Sequence, residues 1–239
     1  MTSSRQSGNV LFYILICVAL FAALSYAFSR GGDSGASKVS DDKARLFATE
    51  IINYGGQLRE AMTRMKLRGC SDNQYDFSND IYKTISNGRI NNSNSNAPTS
   101  RSCHLFDPAG GNITPYVVSA QAVSSDTTTG WQKGHGGARI RQLSGAGTDA
   151  AAGTVSANDI ILTLSFISLP VCKKINELLN VDNPGGLPPQ PAESGTAGQY
   201  ASGSLTSNAI ITNPKLGSSA FCFTTSSGEN IFLQLLLAR

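Results

Sequence analysis

Residues 10–28 read VLFYILICVALFAALSYAF, an apolar run with no charge, and the hydrophobic pattern then changes character. From residue 40 on, Ala44, Phe47, Ala48, Ile51, Ile52, Leu58, Met62 and Met65 recur at helical spacing. Lys43, Glu50, Asn53, Gln57, Glu60 and Arg64 gather on the opposite side. That spacing predicts an amphipathic helix whose apolar stripe lies on a sheet. Ser40 is its expected N-cap, with Asp41 and Asp42 in the first turn. Gly55-Gly56 is an expected kink and Gly69 the expected stop. Downstream, apolar stretches predict strands over 103–106, 116–123, 140–143, 160–166 and 209–212. A closing hairpin is expected from 220–225 and 230–237, turning through Ser226-Ser227-Gly228-Glu229. Pro170 opens a short helix carrying Cys172, Ile175, Leu178 and Leu179. Residues 87–102 and 187–206 read as loop by composition.

The uncharged run has the roughly 20 apolar residues that a helix needs to cross a bilayer. A cleaved secretory signal would have a shorter core and a small-x-small site, for which Ala23, Ser25 and Ala27 qualify. A lipoprotein signal needs a small residue before the modified cysteine, but Ile16 precedes Cys17. A retained helix fits best. The expected organisation is therefore a leader (1–8), a transmembrane helix (9–30), a linker (31–39) and an extracytoplasmic α+β domain (40–239). It places the protein in the inner membrane as a single-pass chain, with its body in the periplasm or outside the cell. Arg5 before the helix, and Asp33, Asp41 and Asp42 after it, agree with that orientation.

A short leader, Gly8, an uncharged apolar helix and then an amphipathic helix together resemble a type IV pilin or type II secretion pseudopilin. The likeness covers about the first quarter of the chain. It implies cleavage after Gly8, leaving Asn9 first, and a pilin-like α+β fold. In that fold a long N-terminal helix, part in the membrane and part amphipathic, packs on a mostly antiparallel β-sheet. It implies other pilin-like subunits and the membrane as partners. The family usually has a glutamate five residues after the glycine; here that residue is Tyr13. The departure points to a minor or tip subunit rather than a repeating one. The rival function is a single-pass periplasmic binding module that never polymerises, and a tethered hydrolase comes third.

Composition narrows the chemistry. The chain has 239 residues, a net charge of +3 and five cysteines. So small a charge gives no reason to expect a nucleic-acid partner. Cys17 sits in the apolar run. Cys70, Cys103, Cys172 and Cys222 are an even set that predicts two disulfides, with three pairings open. The pairing Cys70–Cys103 and Cys172–Cys222 joins segments that are near one another in chain order. No C-x-x-C spacing supports zinc. Asp72, Asp76 and Asp80 carry oxygens for calcium but lack the glycine and terminal glutamate of an EF-hand loop, so caps and a solvated face are expected instead. His104 reads as a structural strand residue and His135 as a loop residue. Lys133, Arg139 and Arg141 near Trp131 form a small basic patch. No G-x-S-x-G elbow appears. No enzyme activity, cofactor, metal or small-molecule substrate is expected.

Overall fold

The structure, a computed structural model, describes residues 8–81, 93–124, 139–144, 158–190, 193–194, 198–199, 210–211 and 218–238. Helix α1 is Gly8–Leu67 and helix α2 is Leu169–Leu178. The strands are β1 (Arg139–Ser144), β2 (Asn158–Leu164), β3 (Glu193–Ser194), β4 (Gly198–Gln199), β5 (Ile210–Ile211), β6 (Ala220–Thr224) and β7 (Asn230–Leu237). One sheet has the order β4-β1-β2-β7-β6 with every pair antiparallel, and β3 pairs with β5 separately. The class is α+β. The chain divides into two units, Met1–Lys43 and Ala44–Arg239.

The membrane part of the expected fold is corrected. Among the described residues no helix is long and apolar enough to cross a membrane. A helix must keep its apolar character over about 20 residues to cross the hydrocarbon core, and none described here does. This overturns the transmembrane helix 9–30, the single-pass inner-membrane localisation and the two-part long helix built on them. Residues 31–39, expected as a linker, lie within α1.

In the second unit the amphipathic reading places the core correctly. Ala44, Ala48, Ile51, Leu58, Met62 and Met65 are all buried, in one cluster with Ile160, Leu162, Leu164, Cys222 and Phe232 of the sheet. The opposite sheet face is also buried, through Ile161, Phe221, Phe223, Leu233 and Leu235 with Val181. Two covered faces explain why β6 and β7 read as near-continuous apolar runs rather than alternating ones. Gly69, with φ of 99°, ends α1, and the Cys70 amide donates back to the Met65 carbonyl at 3.1 Å. Only glycine takes that left-handed position without strain.

Gly55 is where α1 meets β7. A Cβ built on it would stand 3.2 Å from Gln234 Cγ, whereas one on Gly56 meets nothing within 4 Å. The expected kink is therefore a close approach, and α1 continues through it. Gly56→Ala should raise stability by about 0.5–1 kcal/mol, since alanine costs less backbone entropy in an exposed helix. Gly55→Val should lower it by about 1–3 kcal/mol through overpacking. Urea titrations of the two variants check this, and equal shifts would reject the contact.

Two strand expectations fail. Residues 103–106 and 116–123 form turns and isolated bridges, Asp76↔His104 and Val123↔Ile167. Their apolar side chains Leu105, Val118 and Ala122 are still buried. They anchor a loop to the core one residue at a time, which apolar content alone does not distinguish from a strand. The strand expected over 160–166 stops at Leu164, because Phe166 takes a φ of 61°. The closing hairpin stands where it was expected.

Candidate functional site

Both disulfides form with the local pairing, Cys70–Cys103 and Cys172–Cys222. The first ties the segment just after α1 to a loop-rich stretch described over residues 93–124. The second ties α2 to β6.

The loop region is organised around Asp76, which is only 3 % exposed. Its Oδ1 accepts the Ser78 amide at 2.9 Å and the Ser78 hydroxyl, and its Oδ2 accepts the Asn94 amide at 2.7 Å. His104 Nδ1 lies 3.4 Å from Oδ1. Backbone bonds run beside it, from the Asp76 amide to the Cys103 carbonyl at 3.0 Å and from the Leu105 amide to the Asp76 carbonyl at 2.9 Å. Asn94 is buried too, and its Nδ2 donates to the carbonyls of Asn73 at 2.7 Å and Tyr75 at 2.9 Å. A buried carboxylate persists when its lone pairs are filled this way. One acidic side chain thus fastens three stretches of chain that have little regular structure.

The loop that follows is closed by Arg101 and Asp107, whose charged groups meet at 2.8 Å. Asp107 Oδ1 also accepts the Ala109 amide at 2.9 Å. That amide holds the Asp107 carboxyl below the ordinary carboxylate range, against a smaller opposing effect of desolvation, and Arg101 adds to the lowering. Gly110 and Gly111 fold back on His104, and the Gly111 amide donates to the His104 carbonyl at 2.9 Å. Arg68 of the segment after α1 donates to the Gly110 carbonyl at 3.1 Å. The Tyr116 ring packs against Tyr54 with centroids 5.1 Å apart and planes tilted by 41°, and its hydroxyl donates to Glu50 at 3.0 Å. Burial pushes the Tyr116 phenol up, and Glu50 adds to the effect, so the hydroxyl stays a donor.

Between these two walls lies a cleft of about 590 Å³, lined by Ser78, Asp80, Ser93, Arg101, His104 and Phe106 among others. Pockets that hold small molecules run from about 300 to 1,000 Å³.

The structure separates the carboxylates considered for calcium. Asp72 pairs with Lys66 at 3.5 Å, Asp76 is the buried hub and Asp80 is exposed at the cleft. Among the described residues no group of three His, Cys, Asp or Glu side chains is placed to hold a metal ion. His104 is not in a strand, but it does line the cleft. Arg139 and Arg141 lie on β1. Trp131, Lys133 and His135 lie outside the described residues. Gly8 and Asn9, the expected processing positions, are the first residues of α1.

The sequence reading missed Asn94, Arg101, Asp107 and Gly110. Asn94 and Arg101 sat in a stretch read only as Asn/Ser-rich loop. The available signal was Asp107-Pro108-Ala109-Gly110-Gly111, a turn composition next to a cysteine. No family model, curated protein or solved structure matches the chain.

Proposed function

We propose that the chain is a structural subunit, a pilin- or pseudopilin-like minor component that enters a filament or secretion pseudopilus through the start of α1. One observation carries this reading. Phe12, Leu15, Val18 and Phe21 are 62 %, 64 %, 63 % and 78 % exposed, and Tyr13, Ile14 and Leu20 are also more than half exposed. A helix apolar on all sides is stable in a well-packed assembly and not in water. Equivalent helices from neighbouring subunits would cover it, as in the family that the leader, Gly8 and the apolar run resemble. Tyr13 in the usual glutamate position removes the carboxylate that would select an identical neighbour's amine. Hence the partners are subunits of other sequence.

Cys17 is free and exposed, midway along the stretch. A photoreactive maleimide on Cys17, in cells making the whole protein, should give discrete adducts with other pilin-like chains. N-terminal sequencing should find Asn9 first. A long ladder of this chain alone would overturn the minor-subunit assignment, and no adduct at all would overturn assembly through this helix.

A further inference from the structure

The cleft between segment 76–81 and loop 101–115 shares no residue with the stretch 12–22, and its chemistry is specific enough to name a ligand class. We propose that it binds a neutral saccharide.

Four observations lead there. First, both walls are fixed before any ligand arrives. Asp76 holds Ser78, Asn94 and His104 together, and Asp107 is fastened by the Ala109 amide and by Arg101 at 2.8 Å. Preorganised polar groups lose little freedom on binding. Second, the charges are mixed and nearly balanced. Arg101 stands beside Asp107, and Asp80 and His104 lie close by. Such a site exerts no strong pull on a phosphate or a polyanion. Third, a guanidinium donates and a carboxylate accepts. Side by side, they match two adjacent hydroxyls, one accepting and one donating. Ser93 adds a hydroxyl, Ser78 adds an acceptor oxygen because its proton goes to Asp76, and half-buried Phe106 lies on the lining beside them. Fourth, the main alternatives lack their requirements. An extended peptide needs open backbone groups along an edge, and here the Asp76 and Leu105 amides are already bonded to Cys103 and Asp76 carbonyls. A metal ion needs a ligand cluster, and none of three or more such side chains occurs among the described residues.

Backbone geometry supplies a clean variant. Arg101 has φ of 61°, a left-handed conformation that glycine takes more easily than arginine. Arg101→Gly therefore removes the donor fork while suiting the turn. Asp107→Asn keeps an oxygen for the Ala109 amide and removes the charge. The test titrates the whole protein, by calorimetry and by amide chemical shifts, with maltose, cellobiose, lactose and N,N′-diacetylchitobiose. At least one should bind saturably, with shifts at residues 78–81 and 101–107. Each substitution should weaken that binding by about tenfold or more, as loss of a hydrogen bond to a charged group does. The thermal midpoint should hold. Hexasaccharides of the same linkage that bind more tightly than the disaccharide would identify a chain end as the natural ligand, and equal binding a free sugar; both support the site. Failure of all four probes to saturate a folded protein overturns it, as does binding that survives both substitutions. Neither failure touches the assembly reading, which rests on cross-links from Cys17.

Discussion

Asn176→Leu should cost about 3–5 kcal/mol and leave a protein prone to edge-to-edge association. Strand β6 is the outer strand of the sheet order β4-β1-β2-β7-β6. An outer strand carries amide and carbonyl groups that face away from its partner and invite another strand. At Cys222 both are taken by one side chain. Asn176 Oδ1 accepts the Cys222 amide at 2.8 Å, and Asn176 Nδ2 donates to the Cys222 carbonyl at 2.8 Å. The same Nδ2 donates to Asn183 Oδ1 at 2.9 Å, and Asn176 is fully buried. Cys172, one helical turn earlier on α2 and on the same face, is disulfide-bonded to the same Cys222. The bridge brings the helix to the edge, and the amide closes it. Further along, the Thr224 amide donates to the Pro189 carbonyl at 3.0 Å.

Leucine fills a similar volume but leaves a buried donor and a buried acceptor without partners, at about 1–3 kcal/mol each. Asn176→Asp should be nearly as costly, because a carboxylate cannot donate to the Cys222 carbonyl. Urea unfolding with both disulfides intact measures the loss. Light scattering near the midpoint measures the association. A loss under about 1 kcal/mol for leucine would mean that the Cys222 groups find other partners.

That edge closure shows why some of this fold was legible in sequence and some was not. The stripe from Ala44 to Met65 was readable because one face must be apolar at a 3.6-residue period. The hairpin of β6 and β7 was readable because a turn sequence separates two apolar runs. The two disulfides followed from an even cysteine count, though only chain order favoured the pairing found. Asn176 carried no such signal. An asparagine in a short amphipathic helix reads as surface, and its role depends on a strand that begins 44 residues later. Asp76 was masked in the same way, since its partners come from Ser78, Asn94 and His104. In the turn-rich region 93–115 the fixed points are single contacts, such as a side chain on one backbone group or Arg101 on Asp107. Periodicity carries no information about such contacts. The apolar run at 10–28 misled for the opposite reason. Its composition is shared by a helix that meets lipid and one that meets other helices, and hydropathy alone does not separate the two.

Gly110→Ala should be the most damaging single methyl in the loop region. A Cβ at Gly110 would lie 2.0 Å from the His104 carbonyl oxygen and 2.9 Å from that of Arg101. Both obstacles are backbone, so no rotamer change relieves them. Gly111 beside it is nearly as tight, with a built Cβ 2.4 Å from the Leu105 carbonyl oxygen. The turn from Arg101 to Gly111 is what brings Asp107 back onto Arg101 and sets the spacing of the cleft's far wall. Relief requires lifting the turn away from His104, which breaks the Gly111 amide bond to the His104 carbonyl at 2.9 Å and the Arg68 bond to the Gly110 carbonyl at 3.1 Å. The expected cost is about 3 kcal/mol or more, the range in which backbone strain and lost buried bonds combine. The Cys70–Cys103 bridge keeps the loop tethered, so the damage should stay local. Amide exchange should speed up over residues 101–113 while β2, β6 and β7 keep their protection. Saccharide binding should be lost with it. Gly56→Ala, the same added methyl on an open helix face, is the matched control. Unchanged exchange in Gly110→Ala would show that the loop has a second packing that the close approach does not forbid.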